Sequence, residues 1–122
     1  MPAYKFVVLT NAMPGQESEF NEWYDDCHLS EILAIPGVDS CRRLSLVDGH
    51  GKFNDNAPYQ YLTIYEVETD DIQMVSARLA DPSSRTPSVT VDVSRTAVWM
   101  FEDYVAKKSE TLTPARAEQD GR

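Results

Sequence analysis

The segment Phe20-Asn21-Glu22-Trp23-Tyr24-Asp25-Asp26-Cys27-His28-Leu29-Ser30-Glu31 gathers an indole, a phenol and an imidazole close together in the chain. Phe20, Trp23, Tyr24, Cys27 and His28 recur at the i, i+3, i+4, i+7, i+8 spacing that shares one face of an α-helix, while Glu19, Glu22, Asp25 and Asp26 fall mostly on the other. An imidazole on a packing face can give or take a proton at neutral pH, which makes His28 a candidate general acid or base. The competing explanation is a histidine capping the helix C-terminus, where a cation meets the negative end of the dipole. Tyr24, one turn earlier, either hydrogen-bonds a substrate oxygen, orients the imidazole, or fills the core with its hydroxyl at the edge. Trp23 and Trp99 suit pocket walls or packing better than a chemical step.

Tyr59, Tyr61 and Tyr65 alternate along one stretch and so share a face, where they line a pocket for a flat ligand or fill a subunit interface. Arg42 and Arg43 point to opposite strand faces, so one of them looks inward, to bind a carboxylate, to stabilise an enolate or to make a structural ion pair. His50, between two glycines, either swings over a cleft or stays in an exposed loop. Asp25-x-x-His28-x-x-Glu31 is a poor metal site, because the sixth position on leaves the helix face. Cys27 and His28, as neighbours on a helix, point about 100° apart and make no nucleophile–base pair. No Gly-rich phosphate loop follows a strand. Neither a metal nor a cofactor is expected.

These side chains must be held by a small set of elements. Tyr4 to Asn11 is an expected strand, apolar in both alternating sets and so in need of cover on both faces. Met13-Pro14-Gly15 turns the chain into a helix running from about Gly15–Ser18 to His28, with Ser30 allowing one further helical turn before Ile35-Pro36-Gly37. Val38 to Val47 reads as a second strand, 48–58 as a long loop, and Tyr59 to Val67 as a third strand. Asp70 and Gln73 resemble a capping box for a second helix that ends near Ala80. Residues 81–95 read as an extended loop, Thr96 to Tyr104 as the last strand, and 107–122 as a disordered tail. Residues 1–106 thus form one expected domain. The order β-α-β-β-α-β is that of a ferredoxin-like α+β fold, a four-stranded antiparallel sheet with two helices on one face. Its other face stays open and apolar, which predicts a homodimer closed sheet against sheet.

At 122 residues the chain is long enough for a core without staples, and its two cysteines are too few for a disulfide framework. With no signal-like start, a cytoplasmic location is expected. A net charge of −9 without a Lys/Arg cluster argues against nucleic acid and anionic membranes as partners.

The run Gly15-Gln16-Glu17-Ser18-Glu19-Phe20-Asn21-Glu22-Trp23-Tyr24-Asp25-Asp26-Cys27-His28, continued by Leu29-Ser30-Glu31-Ile32-Leu33-Ala34-Ile35-Pro36-Gly37-Val38, resembles the dimeric α+β barrel superfamily, and within it EthD-like proteins. The aromatic-then-His helix end and the Pro-Gly turn into a strand carry the likeness, which extends over residues 4 to about 105. Ser30 departs from the proline often found there. The resemblance implies a small-molecule site and a menu of cofactor-free chemistries: polyketide cyclisation, muconolactone-type isomerisation and quinone-forming monooxygenation. The expectation is a cofactor-independent enzyme performing isomerisation, cyclisation or elimination on a small oxygenated, aromatic or polyketide-like molecule. The alternatives are a cofactor-free monooxygenase and a non-catalytic ligand-binding dimer. Catalysis is assigned to His28 and Tyr24, and substrate contact to Trp23, Tyr61, Tyr65, Arg42 and Trp99.

Overall fold

The computed structural model describes residues 1–47 and 51–105, so His50 and the expected tail at 107–122 lie outside the described residues. Four strands, β1 (Ala3–Thr10), β2 (Val38–Ser45), β3 (Tyr61–Glu68) and β4 (Ala97–Glu102), pair antiparallel in the order β2-β3-β1-β4. Between them run α1 (Glu17–Trp23), continued through α2 (Leu29–Leu33), the single turn α3 (Gly51–Asn54), and α4 (Ile72–Ala80). This is the ferredoxin-like arrangement expected from the sequence. Among the described residues no helix is long and apolar enough to cross a membrane.

Alternation decides which side chains meet the helices. Phe6 pairs with Tyr65 and Met100, and Val8 with Thr63 and Val98. Tyr65, Val67 and Val8 join Ile32, Ile35, Val75 and Leu79 in the main core, with Phe6 and Tyr4 packed against it. A second cluster holds Phe20, Tyr24 and Ala12, flanked by Trp23 and Tyr61. Phe6 and Tyr61 therefore lie beneath the helices rather than on the open sheet face. The opposite set, Val7 between Ile64 and Trp99, and Leu9 between Leu62 and Ala97, forms that open face.

Several boundaries differ from those expected. β3 begins at Tyr61, not Tyr59, and β1 stops at Thr10, because the fully buried Asn11 takes over the hydrogen bonding at their ends. Its amide donates to the carbonyls of Pro58 (2.9 Å) and Arg95 (3.1 Å), and its Oδ1 accepts from the Gln60 amide (3.0 Å). Helix α4 is capped by Asp71, whose side chain accepts from the Met74 amide, one residue later than the expected capping box. Gly37 adopts φ 101°, and a Cβ there would stand 2.9 Å from Cγ2 of Val75, so only glycine lets α4 settle on the turn before β2.

The helix of the opening segment does not stop at His28. It runs on into α2 through a π-helical turn, Tyr24–His28, in which the Leu29 amide reaches back to the Tyr24 carbonyl. The wider turn shifts the downstream face, which strict α spacing does not anticipate. His28 consequently comes to rest against both Trp23 and Tyr24.

Candidate functional site

Between the helices and the β1–β4 half of the sheet lies a cleft of about 620 Å³. Its floor is apolar sheet surface, Phe6, Val8 and Met100, and its walls come from the π turn and from α4. A volume of this order suits a small organic ligand. The segment after α4, read from sequence as an extended loop, forms the mouth. It contains two 3₁₀ turns, Pro82–Ser84 and Val93–Arg95, and Ala12 bridges to Val91.

Polar anchors fix that mouth. Thr86 donates its amide (2.8 Å) and hydroxyl (2.6 Å) to the two carboxylate oxygens of Glu31, and the indole N–H of Trp23 donates to the Thr86 carbonyl (3.2 Å). The bonds from Thr86 hold the Glu31 carboxyl below its ordinary pKa. Trp23 is thus pinned at its edge while its ring stacks on His28, with centroids 4.7 Å apart and planes 24° apart. Tyr24 meets the same imidazole edge-on at 4.9 Å.

His28 is half-buried, and its Nδ1 is buried without a hydrogen-bond partner. Burial is the main cause that lowers its pKa to about 4, the Arg85 guanidinium adds to this, Arg43 adds less, and Glu31 opposes. At pH 7 the imidazole is therefore neutral, which removes the cationic helix-cap explanation. Burial raises the Tyr24 and Tyr65 phenols above their ordinary value, so both stay protonated. The Tyr24 hydroxyl accepts from Thr63 Oγ1 at 3.0 Å, and the buried Tyr65 hydroxyl sits beside the Tyr24 phenol without a well-formed hydrogen bond.

Of the residues assigned from sequence, His28, Tyr24, Trp23 and Tyr65 border the cleft, whereas Trp99 touches it only at the β4 edge and pairs with Val7 on the open sheet face. Tyr61 and Arg42 do not. Tyr61 packs on Phe20, with ring centroids 5.2 Å apart, and its hydroxyl accepts from the Asn21 amide. Arg42 pairs with Ile64 on the open face and is exposed. Its neighbour Arg43 turns toward the helix, where it lies 4.2 Å over the Tyr24 ring and donates to Asp25 and Asn21, both at 2.9 Å. That arginine braces the back of the aromatic cluster and does not line the cleft. The Asp25 and Glu31 carboxylates are thus engaged by Arg43 and Thr86. The arginine that borders the cleft is Arg85, which sequence reasoning missed: a lone cation among prolines, serines and threonines carries no periodic signal.

The sheet order, the helices on one face and the cleft between them define a ferredoxin-like α+β protein. No protein-family model and no curated protein matches the chain. Solved structures do match in fold. An EthD-family protein from Bacillus halodurans aligns with TM-score 0.60 at 14% identity, over 84% of this chain and 99% of that one. A dabb-family protein with a ferredoxin-like fold from Mesorhizobium loti aligns with TM-score 0.57 at 14% identity, over 85% and 99%. A dimeric ferredoxin-like protein of unknown function from Jannaschia aligns with TM-score 0.54 at 12% identity, over 83% and 99%. At such identities the shared property is the fold.

Proposed function

We propose that this protein is a cofactor-independent enzyme that moves a proton on a small oxygenated, aromatic or polyketide-like molecule bound in the cleft, with His28 as the base. The observation that carries the reading is a neutral imidazole on the wall of a largely apolar cavity. Its lone pair accepts a proton from an acidic C–H or O–H of the substrate, and the electrons left behind delocalise onto a substrate oxygen. Return of the proton to another atom gives isomerisation, attack of the enolate carbon on a carbonyl gives cyclisation, and loss of a leaving group gives elimination. Arg85, the cation that borders the cleft, is the group available to stabilise charge on that oxygen. Tyr24 packs the imidazole from the side and shares in holding it.

A pKa near 4 makes a free imidazole a weak base, but the charge responsible for part of that depression also favours the substrate anion. Arg85 lowers the proton affinity of His28 and of the substrate oxygen together, which offsets its own share of the depression, while the larger share, from burial, remains a cost of the transfer. His28→Gln should keep the fold and reduce turnover by about 10²- to 10⁴-fold, the usual range for a general acid or base. Unchanged turnover in the folded variant contradicts the assignment. The low pKa also favours a second reading, a non-catalytic binding pocket, whose signature is saturable binding with no product. A cofactor-free monooxygenase would use the same deprotonation and is told apart by oxygen uptake during turnover.

The assembly belongs to the same proposal: two copies close their open sheet faces against each other. Trp99 and Phe101 are 52% and 53% exposed there, beside Val7, Leu9, Leu62 and Ile64, an apolar surface that a lone soluble subunit rarely presents.

A further inference from the structure

We propose that the ligand of this cleft is an anion: a flat, largely apolar acid whose carboxylate is held by Arg85. The inference rests on the reading of the cleft as a ligand site and names the class of molecule that fills it.

The evidence is the make-up of the cleft lining, apolar and aromatic with one charged side chain, Arg85. Among the described residues, the buried side-chain polar atoms without a hydrogen-bond partner are Thr10 Oγ1, His28 Nδ1, Arg43 Nε, Tyr65 Oη and Arg85 Nε. All except Arg43 belong to residues that line this one cleft. Each of these atoms has almost no accessible surface, so they lie within the wall behind the cleft rather than on its open surface, and the Tyr65 hydroxyl sits beside the Tyr24 phenol. Thr10 and Tyr65 are 4% and 1% exposed, so bulk solvent does not satisfy them.

The sign of the site follows from the same residues. Arg85 offers only donors and keeps its charge. Among the described residues no Asp or Glu lines the cleft, although the chain carries a net charge of −9. Arg43 and Arg95 have Asp25 and Asp92 as ion-pair partners, and Arg85 has none among the described residues. One of its terminal nitrogens donates to the Leu79 carbonyl, which anchors the guanidinium at the end of α4 and leaves Nε free. A single fixed cation in an apolar chamber suits a monoanion with a planar carboxylate, the group a guanidinium matches in shape. A phosphate dianion would need more cations or a row of backbone amides. The stacked Trp23–His28 pair supplies an aromatic surface for the rest of the molecule.

The test is binding, not turnover. Naphthoate, naphthamide and the methyl ester of naphthoic acid are titrated into the full-length protein, with Trp fluorescence and calorimetry as readouts, since Trp23 borders the cleft. The acid should bind about 10- to 100-fold more tightly than the amide or ester, as expected for one charge-assisted hydrogen-bonded pair. Arg85→Gln should abolish that preference and Arg85→Lys should keep part of it. Equal affinities, a preference that survives Arg85→Gln, or no binding of the acid at millimolar concentration overturns the proposal. If Arg85→Gln fails to fold by circular dichroism, the acid-to-amide ratio in the wild type and in Arg85→Lys decides. Selective acid binding without conversion of any acid upholds the ligand class and removes the proton-transfer reading, whereas conversion of neutral molecules alone does the reverse.

Discussion

His28 shows how burial and charge set the state of a single group. Its unperturbed pKa is about 6.5, and in the fold it is about 4. Between those values the unfolded chain binds the proton and the folded chain does not, so stability falls as pH drops from about 6.5 toward 4 and changes no further from this group below that. The charges facing the ring are Arg85, Arg43 and Glu31, and the first two dominate the third. His28→Gln should flatten that part of the pH–stability curve in denaturant titrations, and kcat/KM of the wild type should lose its acidic limb near pH 4 and stay level from about 5.5 upward. An acidic limb near 6.5 instead would mean a solvated imidazole. The types of residue at this site were legible in the sequence: an imidazole next to two aromatics on one helix. Which arginine meets the helix was not. Strand alternation puts Arg42 and Arg43 on opposite faces but leaves open which face the helices cover. The same ambiguity left Tyr61 facing either a pocket or a subunit interface in expectation, when it lies beneath the helices.

At the scale of elements, the π turn and the segment after α4 do the positioning. The order of the four strands and of α1 and α4 follows from hydrophobic periodicity and turn residues, which is why it was readable. The extra residue of the π turn was not, because it depends on how α1 and α2 together seat Phe20, Tyr24 and Ile32 in the core. The mouth of the cleft was invisible for another reason: Glu31 and Thr86, and Trp23 and Thr86, meet across long sequence separations with no pattern to announce them. Gly37 is the element-level position most open to a stability test. Ala there combines a positive φ with a contact to Val75 at 2.9 Å, and should cost about 1–3 kcal/mol. Equilibrium urea unfolding measures it. A loss under about 0.5 kcal/mol would mean that α4 does not sit tightly on that turn.

For the whole molecule, the uncovered sheet face and the cleft lie on opposite sides of the sheet, so association and ligand binding are separable. A face-to-face dimer should bury on the order of 2,000 Å² or more and make stability rise with protein concentration. Sedimentation over a dilution series should show a dimer, and a Phe101→Lys, Ile64→Lys variant should shift it to monomer or to an unfolded chain, since two cations would then face two copies of themselves. A compact, cooperatively folded wild-type monomer at all concentrations would refute the assembly without touching the cleft. The central claim, proton transfer at His28, has its own direct measurement, which requires no knowledge of the natural product. Aryl ketones and aryl keto acids with slowly exchanging C–H groups are incubated with the protein in D₂O, and deuterium uptake is followed by NMR. The wild type should accelerate exchange for at least one acid of this class, with His28→Gln at the uncatalysed rate. Background exchange for every compound in the wild type, or equal acceleration by the folded His28→Gln variant, would contradict the account.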